Sequence, residues 1–144
     1  MARVDAACEP YDVHVNFAGG FGPSRNAHKL VALAHRRHGA QVQARVVDRI
    51  FADQFENGVD ITNEDALVRI GAEAAGLTAE DVRLELGDED AATRIHREVE
   101  HAREVGGVEA VPCVMVLGRF KVGGYQEERV FEDLFNKIYS EQLM

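Results

Sequence analysis

Cysteine is scarce in this chain of 144 residues: only Cys8 and Cys113 are present, 105 positions apart. Two thiols are too few for a disulfide framework, and that separation is no short redox motif. Long apolar runs are missing as well. No window of about 18 apolar residues occurs, which argues against a membrane-spanning helix. The first residues carry no apolar core of a secretory signal, so the default location is cytoplasmic. Basic charge is in deficit: 16 Lys and Arg face 25 Asp and Glu, for a net charge of -9. The basic residues alternate with acids, as in HREVEHARE at 96–104, which argues against a nucleic-acid surface. The glycine-containing turn GGFG at 19–22 lacks both the GxGxxG and the GxxxxGK[ST] patterns of phosphate loops. A GxSxG nucleophile signature is absent too.

What is present fits one soluble domain with a sizeable core, spanning residues 1–144: 46% of residues are apolar and 28% charged. Val13, Val15 and Phe17 alternate with His14 and Asn16, the period of a half-buried strand. A loop follows, and Ser24 or Asn26 is placed to cap the next helix. That helix covers 27–38, with Ala27, Leu30, Val31 and Ala34 as its apolar stripe. His28, His35 and His38 share this helix, but Arg36 and Arg37 crowd the same turn, so a solvated helix end is expected and no metal site. A second amphipathic helix runs over 40–56 through Val42, Val46, Val47, Ile50, Phe51 and Phe55, and Asn57-Gly58 ends it. Thr62 and Asp65 have capping spacing for a helix that uses Leu67, Ile70, Ala74 and Ala75 and stops at Gly76. Thr78 opens a short helix with Val82, Leu84 and Leu86, and Asp88 opens a longer one with Ala91, Ala92, Ile95, Val99 and Ala102. Residues 27–105 thus read as a helical block between strands.

The stretch that organises the chain is GGVEAVPCVMVLGRFKVGG, 106–124. Gly106 and Gly107 close the long helix. Residues 113–117 are an apolar run expected as a buried strand, Gly118 turns the chain, and 119–122 return as a second strand. A final helix over 127–139 carries Val130, Phe131, Leu134, Phe135 and Ile138 on one face, which should cover the sheet. Cys8 is expected to be an inert thiol, and Cys113 mainly a core cysteine.

A Val-Pro dipeptide, an apolar strand, a tight turn, a second strand and a Gly-Gly resemble the cis-proline hairpin of thioredoxin-like proteins. Residues 17–30, FAGGFGPSRNAHKL, and the acidic turn at 57–65, NGVDITNED, add to the likeness. Together they resemble the DsbA-like branch that holds the FrnE-type oxidoreductases and the 2-hydroxychromene-2-carboxylate isomerase relatives, over residues 11–140. The resemblance implies an α/β fold, a truncated or remodelled thioredoxin-like domain made of 11–24 and 108–140 with a helical insertion at 27–105. It implies a cis Val111-Pro112 bond and a substrate groove at Val111, Pro112 and Cys113. Cys113 and His28 are the candidate catalytic residues it suggests. No resident cofactor is expected; an extended thiol peptide or a glutathione-like molecule would be the groove's ligand. The family begins with a strand, a Cys-x-x-Cys and a long helix, whereas MARVDAACEP resembles only the end of that helix. Dithiol exchange by this chain alone is therefore not expected. The alternatives are an isomerase or other non-redox enzyme on a small aromatic or polyketide-like substrate, and a non-catalytic binding or structural protein. The strand missing from the resemblance would leave open sheet edges, so a homo-oligomer, a dimer by default, is expected through the sheet.

Overall fold

The computed structural model describes residues 2–16, 18–104 and 106–142, and only the backbone of 2, 3, 5 and 142. It forms two compact units, Met1–His96 and Arg97–Met144. Among the described residues, no helix is long and apolar enough to cross a membrane.

The first unit is helical. It contains α1 (Ala2–Cys8), a 3-10 turn (Glu9–Tyr11), α2 (Arg25–His38), α3 (Ala40–Phe51), a π turn (Ala52–Glu56), α4 (Glu64–Ala75) and α5 (Ala79–Gly87). Its last element, α6 (Glu89–Glu104), continues into the second unit. The apolar spacing of three and four in each segment becomes one shared core. Leu30, Leu33 and Ala34 of α2 meet Val46 and Ile50 of α3, Leu67 and Ile70 of α4, and Val82 and Leu86 of α5. Burying each of the larger side chains stabilises the unit by about 1.5–3 kcal/mol. Gly71 allows α4 to lie close against Val82 of α5 and Leu30 of α2. A methyl at its Cα would lie 2.8 Å from Val82 Cγ2 and 3.1 Å from Leu30 Cδ1.

Helix ends follow local chemistry. Gly39 separates α2 from α3 with φ of 81°, and Gly76 stops α4 in the left-handed region. Thr78 Oγ1 accepts the Asp81 N–H and opens α5. Two expected caps differ. The cap of α4 is Asn63, whose Oδ1 accepts from Asp65 N (2.9 Å) and Ala66 N (3.2 Å). Thr62 instead donates its hydroxyl to Asp60, because an Asx turn at Asp60 already claims it. At α2, the Ser24 side chain makes no capping bond; its carbonyl accepts the His28 N–H.

The alternation at 13–17 predicts a strand, and the structure has none there: 13–16 lie outside any ladder, and Phe17 lies outside the described residues. The backbone is satisfied differently. Asn16 donates its N–H to the Phe55 carbonyl at 2.6 Å, and Val13 donates to that of Cys8 at 3.4 Å. Alternation describes a pleated surface only if a second strand pairs with it. Leu84, expected on the apolar side of α5, is 68% exposed, since Val82 and Leu86 alone face the core.

The second unit contains the end of α6, β1 (Cys113–Val116), β2 (Phe120–Gly123) and α7 (Glu128–Gln142). The strands pair antiparallel as a two-stranded sheet. Leu117 and Gly118 both have positive φ, 54° and 64°, which is the twist a tight hairpin needs. Leu117 is therefore in the turn and not in the strand. The run is also less buried than its composition suggests: Val114 and Met115 are exposed, and Cys113 and Val116 half-buried. A two-stranded sheet has no second layer of strands to enclose it. On α7, Val130, Phe131, Leu134 and Ile138 are half-buried, while Phe135 is exposed. Arg119 Nη2 joins the hairpin to α7 through Glu141 at 2.7 Å.

Candidate functional site

The hairpin brings Val111, Pro112 and Cys113 together at its mouth. The Val111-Pro112 bond is cis, as the resemblance implies. Val111 is 83% exposed, Pro112 is exposed, and the Cys113 thiol is free and half-buried. Lys121 Nζ donates to the Gly107 carbonyl at 2.6 Å, which ties the approach to the hairpin onto β2.

Backbone polarity along β1 follows from the register. Gly124 donates its N–H to the Pro112 carbonyl at 2.8 Å. Opposite pairs are Cys113 with Gly123, Val114 with Val122, Met115 with Lys121 and Val116 with Phe120. Pairs that exchange hydrogen bonds alternate with pairs that do not. Starting from Pro112–Gly124, Val114 and Val116 turn their amides and carbonyls toward β2. Cys113 and Met115 turn theirs the other way. No strand occupies that other edge among the described residues.

His28 belongs to the helical unit. There a cavity of about 270 Å³ opens between α2, α3, the π turn and Ile61. Its walls are mainly Val31, Val47, Ile50, Phe51 and Phe55, with Ser24, His28 and Gln54 as polar members. Phe51 and Phe55 meet as a tilted aromatic pair, centroids 5.9 Å apart. Gln54 is buried and donates Nε2 to the Gly20 carbonyl at 3.1 Å. The periodicity of 40–56 identifies Phe51 and Phe55 as one face; it gives no sign that Gln54 shares their cavity. The π turn shifts the register after Phe51, and sequence spacing does not reveal that shift.

The glycine turn at 19–22 has a packing role. A methyl on Gly19 would lie 3.0 Å from the Gly58 backbone, so this loop needs minimal side chains to rest on residues 58–60. Asp60 there has its carboxyl held below the usual range, first by the Thr62 hydroxyl and then by the Thr62 N–H. His35 and His38 are exposed at the end of α2, and no group of three metal-ligating side chains gathers among the described residues.

No curated protein matches the chain. The family model of the DSBA-like thioredoxin domain matches residues 1–136. With the cis-proline hairpin and the helical unit, this bears out the sequence reading of a remodelled α/β thioredoxin-like fold. The match takes in nearly all of the sequence, and the chain belongs to the DSBA-like thioredoxin domain family.

Proposed function

We propose that this chain is a binding member of the family that does not exchange dithiols by itself, and that it takes an extended polypeptide along the outer edge of β1 at Val111–Met115. One observation carries the reading: Cys113 and Met115 direct their backbone hydrogen-bonding groups away from β2, beside the exposed side chains of Val111, Val114 and Met115. An unpaired apolar edge of this kind is a template for strand addition. The motifs at 17–30 and 106–124 support the FrnE-type branch of the family as the nearest setting.

Cys113 is the only thiol of the hairpin, so no dithiol pair stands there to reduce a disulfide and resolve the mixed intermediate. In an insulin-reduction assay the chain is expected to leave the rate at its uncatalysed level. Turnover comparable to thioredoxin, abolished by Cys113→Ser, overturns the non-dithiol reading. Carboxymethylated insulin B chain, an unfolded polypeptide without free thiols, serves as the binding probe. Saturable binding is expected, and its absence overturns the edge as a polypeptide site.

A further inference from the structure

The helical cavity presents a different chemistry from the hairpin. His28 Nδ1 lies 2.8 Å from the Ser24 carbonyl oxygen. A carbonyl only accepts, so Nδ1 carries the hydrogen and donates. The same carbonyl accepts the His28 backbone N–H at 3.0 Å, which fixes the ring against the first turn of α2. In the neutral ring, Nε2 is then left as an acceptor with no proton of its own. His28 is exposed and stands at the rim of the cavity, whose wall is apolar and partly aromatic through Val31, Val47, Ile50, Phe51 and Phe55. Phe51 and Phe55 offer faces and edges that favour another aromatic ring. At interior packing density, about 0.74, the 270 Å³ hold about a dozen non-hydrogen atoms.

We propose that this cavity binds a small aromatic compound carrying one hydroxyl, a phenol or naphthol, whose O–H donates to His28 while its ring packs against Phe51, Phe55 and Val47. The apolar wall provides the affinity, and the acceptor on His28 sets the orientation. A ligand with an ether in place of the hydroxyl keeps the apolar contact and loses the donor. A carboxylate in that position would bring charge into an apolar wall without a cation to pair it.

The test uses the full chain, with 1-naphthol as the probe and 1-methoxynaphthalene as its donor-free counterpart. Calorimetric titration is expected to give saturable one-site binding of 1-naphthol, and binding of the ether weaker by about fivefold to tenfold, the value of one hydrogen bond. In His28→Phe, which keeps a ring but no acceptor, the two compounds should bind equally. Val47→Phe fills the cavity and should abolish both, with the circular dichroism spectrum of the wild type as evidence of folding. No saturation below about 1 mM in the wild type overturns the proposal. Equal affinity of the two compounds in the wild type also overturns it, and that comparison stands even where a variant fails to fold.

Discussion

Asp53 is a buried carboxylate with a donor on each side. Arg49 Nε reaches it at 3.1 Å, Arg69 Nη2 at 3.3 Å and Asn57 Nδ2 at 3.1 Å. It pins the π turn to α3 and α4, and Arg49 extends the network to Glu73 at 2.6 Å. The Arg49 pKa is raised accordingly, first by its hydrogen bond to Asp53. Asp53→Ala removes the hub and leaves two half-exposed guanidinium groups facing each other. The expected loss is about 2–3 kcal/mol, below the figure for a fully buried pair because water reaches both arginines; chemical denaturation measures it. A gentler change addresses Asp60. Its folded pKa is depressed, so its contribution is present above the unfolded carboxylate range and is lost as pH falls through the folded value. Thr62→Val deletes the hydroxyl, the first cause, and should move the Asp60 pKa upward in an NMR titration while the fold persists. Neither residue stands out in the sequence. Asp53 sits inside an amphipathic helix where a charge usually marks the solvent side, and only the π turn brings it inward. Lys29 is hidden for a similar reason: buried on α2, it ends at the Leu86 carbonyl, 2.7 Å away, capping a helix far along the chain.

The elements themselves were largely legible. Residues 25–38, 64–75 and 79–87 carry apolar spacing of three and four, the first two end at Gly39 and Gly76, and each is a helix, although the caps expected for the first two are not the ones used. The hairpin was legible from Gly118 and the apolar run, within one residue at each end. The alternation misleads at 13–16 because it records which side faces water and cannot show whether a partner strand exists. The directed backbone of β1 makes two proline substitutions unequal. Val114→Pro removes an N–H that the register assigns to the ladder with β2 and should open the hairpin. Met115→Pro removes one that faces the outer edge, so the hairpin should survive. Hydrogen exchange at Val122 reports the ladder: fast in Val114→Pro, slow in Met115→Pro. Met115→Pro should nevertheless lose carboxymethylated insulin B chain. Retained binding places the polypeptide elsewhere.

For the whole molecule, self-association is the proposal that the open edge suggests. In the purified chain, where no other extended segment competes, the β1 edge of a second copy is the available partner. Two-fold pairing uses the same edge on both copies and closes the assembly at two. Light scattering on an eluting column is expected to show a dimer at micromolar protein, reduced to a monomer by Met115→Pro. A single wild-type species at the monomer mass of 15.9 kDa, stable on dilution, counts against it. Of this scale the sequence told the family and the order of parts, since residues 17–30 and 106–124 carry the likeness and the model match spans 1–136. The apolar cavity was not legible, because it depends on how Val31, Val47 and Ile61 meet in space.

The helical unit also sets how the chain finds its structure. α2 packs on α3, α3 on α4 and α4 on α5, each the next along the sequence. Such neighbours need only short loops to be closed before their contacts begin to stabilise, and the entropy of closure rises slowly with loop length. Proteins built this way fold in about microseconds to milliseconds. The slower joining is the return of α5 to α2, where Lys29 meets the Leu86 carbonyl across 57 positions. With the packing of α4 on α2, that long closure makes the bundle cooperative: without the two, α2 to α5 would be a string of hairpins able to fray from either end.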